Sequence, residues 1–166
     1  SDPIVLPEAQ GCTDSPGSAV ESYFKYGYEL VIVVNKGVRT KSNPYGQGMF
    51  IWQWDGKRFC NIRNLDVSTG HELAPGREIQ TPSGSITRQS TPEGYFPVRE
   101  QSDRGESCLQ NVHFSNTYKV NMYNAICLAD DTWIHSGDPS DDYKLGTRAS
   151  GGCVRGTFTE IDWLYN

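Results

Sequence analysis

The protein has 166 residues and a net charge of −5 at pH 7, with 21% charged residues and no run of lysine and arginine. This length fits one domain that buries most of its apolar surface without a structural metal. The acidic balance argues against nucleic acid as a partner, because binding to phosphates needs a basic patch. No apolar stretch approaches the roughly 18 residues of a membrane span, so no membrane-spanning helix is expected.

The first 28 residues are predicted to be an N-terminal appendage with one short helix. Asp14, Ser15 and Pro16 offer an N-cap followed by a proline suited to a first helical turn. The helix is expected over Ala19–Tyr26 and should end at Gly27. Residues 29–166 are then expected to form one domain.

The rest of the chain is expected to be mostly β, because its 17 glycines, 9 prolines and many Thr, Val and Tyr residues favour short strands and turns. Asp55-Gly56 is typical of a hairpin turn. The predicted strands are Tyr28–Asn35, Phe50–Trp54, Arg58–Val67, Gly94–Arg99, two or three within Asn111–Leu128, and one ending at Trp133–Ser136. The predicted loops are Leu73–Arg88, Gln101–Ser107 and Gly137–Ala149. A closing helix is expected over Thr157–Leu164, capped by Thr157 or Thr159.

The cysteine count leaves two interpretations open. The five cysteines are Cys12, Cys60, Cys108, Cys127 and Cys153. In an exported protein, four of them could form two disulfides and one thiol would remain. In a cytosolic protein, all five could be reduced and buried.

Cys153 has the surroundings of a nucleophile. It follows Gly151-Gly152, which lets the backbone turn tightly and aim consecutive N–H groups at one point, as in an oxyanion hole. Arg155, two residues on, supplies a field that favours thiolate. A nucleophilic thiol also needs a base, and His135 follows the apolar Trp133-Ile134 as if at the end of a strand.

Each of these residues also has a simpler explanation. Cys153 could be a buried thiol or half of a disulfide, and His135 a hydrogen-bonded loop histidine. A zinc site on these two residues would need a third ligand that the sequence does not make evident. His71 and His113 match no metal-ligand spacing, and no metal or other cofactor is expected.

The sequence resembles the L,D-transpeptidase family in four ordered blocks across roughly residues 29–165. His135-Ser136-Gly137, followed 18 residues after His135 by the cysteine of Ser150-Gly151-Gly152-Cys153-Val154-Arg155, resembles the family's signature. The upstream blocks are Leu30–Asn35, the pair Val67–Gly70 and Thr91–Phe96, and Leu145-Gly146 before Ala149-Ser150.

The resemblance implies a β-rich α+β domain of mixed sheets with one or two short helices. It also implies an enzyme, exported to the periplasm or secreted, that acts on peptidoglycan stem peptides. We expect a monomer, although the sequence does not define the oligomeric state. The implied catalytic residues are Cys153 as nucleophile, His135 as base, Ser136 as its orienting residue and Gly152 as an oxyanion donor. A carbapenem is expected to acylate Cys153. The four remaining cysteines would form two disulfides, in one of three connectivities.

The implied substrate-binding residues are Arg155, Tyr123, Gly151 and Ser150. Arg155 could equally form an ion pair that stabilises its loop, and Tyr123 could equally pack in the core. Gly151 is the departure from the family, which usually carries a second histidine there. We expect its absence to leave a gap of about one imidazole, which favours a hydrolytic share in the products.

Three outcomes remain open from the sequence. The thioester could pass to an amine, as in a transpeptidase, or to water, as in an L,D-carboxypeptidase or endopeptidase. The third possibility is a peptidoglycan-binding relative that has lost catalysis, although a histidine and a cysteine in the signature positions argue against it.

Overall fold

The structure is a computed structural model, and its backbone divides into two compact units, residues 1–66 and 67–166. The residues it describes are 4–24, 27, 29–71, 78–86, 90–94, 96–129 and 132–166.

The first unit is built on a four-stranded antiparallel sheet. Its elements are β1 (Gly11–Thr13), α1 (Ser18–Phe24), β2 (Leu30–Asn35), β3 (Gly48–Trp54) and β4 (Phe59–Asp66), with strand order β1-β4-β3-β2. An apolar core forms where β2 and β3 pack against the segment before β1 and against α1. Its buried side chains are Leu6, Val20, Val31, Phe50 and Trp52.

The predicted strands of this unit are confirmed to within about two residues. Of the predicted helix, residues 25 and 26 lie outside the described residues, as does residue 28 of the first predicted strand. The strand β1 was not predicted, and it pairs with β4 in the register Cys12↔Cys60. The boundary between an appendage ending at 28 and a domain starting at 29 stays a prediction.

The second unit contains a mixed four-stranded sheet. Its elements are β5 (Ile79–Thr81), β6 (Gly84–Ile86), β7 (Leu109–Ser115), β8 (Val120–Ala129), β9 (Thr132–Ser136), a 3-10 helix (Pro139–Lys144), β10 (Val154–Gly156) and α2 (Phe158–Tyr165). The sheet has the order β10-β9-β8-β7, in which β10 and β9 are parallel and the other pairs antiparallel. Thr157 caps α2 by accepting a hydrogen bond from the Glu160 N–H, as predicted. The mostly β fold with mixed strand directions and two short α-helices is confirmed.

Three local predictions in this unit were wrong. The predicted loop Gly137–Ala149 contains the 3-10 helix Pro139–Lys144, which Asp138 caps by accepting a hydrogen bond from the Ser140 N–H. The segment Leu73–Arg88, predicted to be loop, contains the β5–β6 hairpin, while residues 73–77 and 87–88 lie outside the described residues. Its tight turn is permitted by Gly84, whose φ is 127°. The predicted strand Gly94–Arg99 forms no strand in its described part. Gly94 has a φ of 132° and Pro97 has no N–H to give to a ladder, and these outweigh the strand preference of its aromatic and valine residues.

Two disulfides are present, and they settle the connectivity. Cys12 is bonded to Cys60 across β1 and β4, and Cys108 is bonded to Cys127 beside the β7–β8 hairpin. Cys153 takes part in neither bridge and keeps its thiol. Sequence separations of 48 and 19 residues correspond to about 4 and about 3 kcal/mol of stabilisation through the unfolded chain.

Alkylation of the protein purified without reductant and unfolded in denaturant should therefore label one cysteine, Cys153. Prior reduction with dithiothreitol is the control and should raise the count to five. Intact mass and peptide mapping give the number and the position of the labels. Five labels without reductant would contradict the two disulfides.

Within the described part of the chain, no helix has the length and apolar character needed to cross a membrane.

Candidate active site

The parallel pairing of β9 with β10 brings Cys153 and His135, the predicted nucleophile and base, to one face of the sheet. Ile134 pairs with Val154 and His135 with Arg155. Continuing this register by one residue places Cys153 opposite Trp133. Because side chains alternate along a strand, Cys153 and His135 then share a face, with Cα atoms about 8 Å apart.

The Cys153 thiol is held at the edge of an apolar cluster. The backbone N–H of Trp133 donates a hydrogen bond to Sγ of Cys153 at 3.4 Å. Cys153 is half-buried and packs against a core formed by Cys108, Met122, Ala125, Cys127 and Trp133. An N–H directed at sulfur stabilises a thiolate more than a thiol, because a hydrogen bond to an ionised acceptor is stronger.

His135 is fixed in the orientation that a base requires. Its Nδ1 lies 2.9 Å from the carbonyl oxygen of Ser136. A carbonyl can only accept, so Nδ1 carries the proton and the neutral ring keeps its lone pair on Nε2. The Ser136 hydroxyl donates instead to the Tyr123 carbonyl at 3.3 Å, which ties β9 to β8. Ser136 can therefore orient His135 through its backbone.

The surroundings of His135 lower its pKa from 6.5 to about 4. The main cause is burial, which disfavours the charged ring, and the positive charges of Arg155 and His113 act in the same direction. The Ser136 carbonyl opposes them by accepting the Nδ1 proton. The imidazole is therefore neutral, and can accept a proton, throughout the physiological pH range.

An NMR titration of the imidazole protons should give His135 a midpoint near pH 4. Because this pKa is below the unfolded value of about 6.5, His135 contributes to stability fully above pH 6.5. That contribution, at most about 3 kcal/mol, is lost as the pH falls to about 4. His135→Gln should remove this part of the pH dependence of unfolding. A midpoint of 6.5 for His135 would contradict the described burial.

Three hydrogen bonds shape the loop that carries Cys153. The Ser150 hydroxyl donates to the Cys153 carbonyl at 2.5 Å and accepts from the Gly152 N–H at 3.2 Å. The Thr91 hydroxyl donates to the Gly152 carbonyl at 2.8 Å. Gly152 has a φ of 121°, which side chains rarely allow. An oxyanion role for the Gly152 N–H would compete with its bond to Ser150, and this role stays a prediction.

Thr91→Val should lower the free energy of unfolding by about 1–3 kcal/mol, because the buried Thr91 hydroxyl also accepts from the Gly70 N–H at 2.9 Å. Valine keeps the shape of the side chain, but the Gly70 N–H and the Gly152 carbonyl lose the hydroxyl that they bond. Thr159→Val, at an exposed position of α2, is the matched control and should change little. Equal urea-unfolding midpoints for the two variants would contradict the proposed support of the loop.

Arg155 is engaged with its own loop. Its guanidinium donates to the carbonyls of Asp138 at 2.7 Å and Asp141 at 3.2 Å, and to the Asp142 carboxylate at 3.0 Å. Its side chain is only 11% exposed. These contacts correspond to the loop-stabilising alternative, and a contact of Arg155 with substrate stays a prediction.

Cys153 and His135 open into one cavity of about 910 Å³, which Ser150 and Gly151 also line. Tyr123 lines it too, and its ring meets Phe158 edge to face at 6.4 Å, so it is available both to a substrate and to packing. Sequence reasoning did not place His113 or Tyr118 in this lining. His113 stacks on Trp133 with ring centres 4.3 Å apart, and Tyr118 lies in the β7–β8 turn. Neither has a local sequence signal, since strand pairing alone brings them here.

The expectation of a gap at Gly151 was wrong. A Cβ built on Gly151 would lie far inside van der Waals contact of the Tyr118 hydroxyl and 2.7 Å from its Cε2. The Tyr118 hydroxyl donates to the Gly151 carbonyl at 3.3 Å. The φ of Gly151 is not in the left-handed region, so the ring of Tyr118, and not the backbone, excludes a side chain here.

Metal-ligating atoms come together at one place in the described chain, which lies in the first unit. Cys12, Asp55 and Cys60 place their ligand atoms within 4.8 Å of one another, but the two sulfurs are joined in a disulfide. A disulfide sulfur has no thiolate to offer a metal.

Comparison with known proteins agrees with the resemblance seen in the sequence. The model of the YkuD family, the L,D-transpeptidase catalytic domain, matches residues 30–166. No curated protein matched the sequence.

Two solved structures have a similar fold. An L,D-transpeptidase from Mycobacterium smegmatis gives a TM-score of 0.54 at 16% identity, covering 82% of this chain and 53% of that one. The L,D-transpeptidase (residues 123-326) from Xylanimonas cellulosilytica DSM 15894 gives 0.52 at 19% identity, covering 90% of this chain and 64% of that one. The chain thus spans between about half and two thirds of these neighbours, and at such identities the likeness shows the fold alone. Because the family model covers most of the sequence, the chain belongs to the L,D-transpeptidase catalytic-domain family.

Proposed function

We propose that the protein is a cysteine acyltransferase that remodels peptidoglycan stem peptides through a thioester on Cys153. The observation that carries this proposal is the pair formed by Cys153 and His135. The thiol accepts the Trp133 N–H, and in the same cavity the imidazole is neutral with its lone pair on Nε2.

In the first half of the reaction, His135 takes the thiol proton and Sγ of Cys153 attacks a peptide carbonyl. The family resemblance indicates the bond between the L-centre of diaminopimelate and D-alanine. The carbon–nitrogen bond breaks, and D-alanine leaves as an amine that takes the proton back from His135. The donor acyl group remains on sulfur as a thioester.

In the second half, an amine of another stem peptide attacks the thioester. A new amide bond forms, the carbon–sulfur bond breaks, and the amine proton passes through His135 to regenerate the thiol. Water in place of the amine would give a carboxylic acid, as in a carboxypeptidase. A hydrolytic share was expected from an open gap beside Gly151, but Tyr118 fills that space. Transfer to an amine is therefore the outcome we propose.

The setting we propose is the cell envelope, in the periplasm or outside the cell. The two disulfides support it, because such bonds persist in oxidising compartments and are rare in the cytosol.

The test is incubation with a purified disaccharide tetrapeptide, with and without a D-amino acid as acceptor, followed by mass spectrometry. The expected result is exchange of the terminal D-alanine for the added D-amino acid, abolished in Cys153→Ala. A wild type that binds peptidoglycan but releases no D-alanine would support a binding role in place of catalysis. Release of D-alanine without exchange would support the carboxypeptidase.

A further inference from the structure

We propose that Tyr118 is the specificity-determining wall of the active site, which directs the Cys153 thioester to an amine and away from water. The inference rests on the proposed function and adds a residue outside the cysteine-histidine signature.

The first observation is that Tyr118 takes the place of a side chain at position 151. Its hydroxyl, Cζ and Cε2 are the nearest atoms to a Cβ built on Gly151. The Tyr118 ring can therefore occupy this position only because residue 151 has no side chain. Gly151 is two residues before Cys153, so the Tyr118 ring packs against the loop that carries Cys153. The ring also lines the cavity into which Cys153 opens.

The second observation is that the ring is held in this position from both ends. At its tip, the hydroxyl donates to the Gly151 carbonyl at 3.3 Å. At its base, the Tyr118 N–H donates to the Ser115 hydroxyl at 3.2 Å, and the Lys119 N–H donates to the Ser115 carbonyl at 2.8 Å. Ser83 reaches the same turn through a hydroxyl bond to the Thr117 carbonyl at 3.0 Å.

The position of the Tyr118 ring affects the second half of the reaction, in which an amine or water attacks the thioester. Transfer requires an amine within about 3–3.5 Å of the thioester carbonyl and in line with it, whereas water is present at high concentration and needs little positioning. An aromatic ring on the cavity wall, packed against the loop that carries Cys153, excludes water from that part of the cavity and confines the approach of the acceptor. Removing it opens the site to water without removing the nucleophile or its base.

The experiment compares the wild type with Tyr118→Ala and Tyr118→Phe on the disaccharide tetrapeptide with a D-amino acid. Its readout is the ratio of exchanged to hydrolysed product, which is independent of the amount of acyl-enzyme formed. Tyr118→Ala should lower this ratio roughly tenfold or more, since small losses of positioning have effects of this size. Tyr118→Phe keeps the wall and should stay within about threefold of the wild type. If Tyr118→Ala does not fold, Tyr118→Leu replaces it in the same comparison.

A second arm tests the steric pairing without activity. Gly151→His alone should lower the melting temperature, because the imidazole meets the Tyr118 ring, and Tyr118→Ala in the same chain should restore much of the loss. Additive losses in the double variant would overturn the pairing.

A folded Tyr118→Ala with an unchanged product ratio would overturn the role of Tyr118, with the acyltransferase intact. A wild type that forms no thioester on Cys153, or transfers nothing to the amine, would overturn the proposed transferase and this inference with it.

Discussion

His135→Ala is expected to lower the rate at which a carbapenem acylates Cys153 by about 10²–10⁴-fold. The Nε2 lone pair of this imidazole is available to take the thiol proton, since Nδ1 is committed to the Ser136 carbonyl at 2.9 Å. Burial lowers the pKa of His135 to about 4, so the imidazole is neutral near pH 7 and can accept the thiol proton. Acylation is followed by the mass added to the intact protein.

The matched control is His71→Ala, which removes an exposed histidine of the same unit. It should leave the acylation rate within about twofold of the wild type. Melting temperatures of both variants are needed, because loss of activity through unfolding would carry no information on the base. A folded His135→Ala that is acylated at the wild-type rate would remove His135 from the mechanism.

Arg155→Met is expected to lower the free energy of unfolding by about 2–4 kcal/mol. The substitution keeps an apolar stem of similar length but removes the donor to two backbone carbonyls and to the Asp142 carboxylate. Asp142 is 35% exposed and can turn to water, which limits the loss. Because Arg155 lies beside His135 across the parallel strands, removing its charge should also raise the pKa of His135.

Arg155→Lys separates these two effects. Lysine keeps the charge, so the pKa of His135 should stay below its ordinary value, but a single ammonium cannot reproduce the three-way contact of the guanidinium. Both variants should therefore be less stable by urea unfolding, while the His135 midpoint by NMR should rise in Arg155→Met only. An unfolding free energy for Arg155→Met within about 0.5 kcal/mol of the wild type would show that the loop does not depend on this residue.

The sequence predicted those features that depend on local patterns. The two strands joined at Asp55-Gly56 and the Thr157 cap are each encoded within a few residues of where they occur, and they were found. The Cys153 signature is also local, since a glycine with a φ of 121° directly before the cysteine marks a backbone that only glycine adopts readily.

Features that depend on distant parts of the chain were not predictable. Tyr118 is 33 residues from Gly151, and nothing in its own turn indicates that its hydroxyl reaches that carbonyl. The same holds for His113, which reaches the site by stacking on Trp133 across the sheet. The expectation of a gap at Gly151 was wrong for this reason. The absence of a side chain at position 151 suggested an open space, but Tyr118 from the β7–β8 turn occupies it.

Identification of the covalent intermediate is the decisive experiment for catalysis by Cys153. The enzyme is mixed with the disaccharide tetrapeptide, quenched in acid within seconds and digested, and the acylated peptide is mapped by mass spectrometry. We expect a thioester on Cys153 that hydroxylamine removes and that a D-amino acid converts to exchanged product. No thioester should form in Cys153→Ala. Release of D-alanine by Cys153→Ala at the wild-type rate, or an acyl group on any other residue, would contradict catalysis by Cys153.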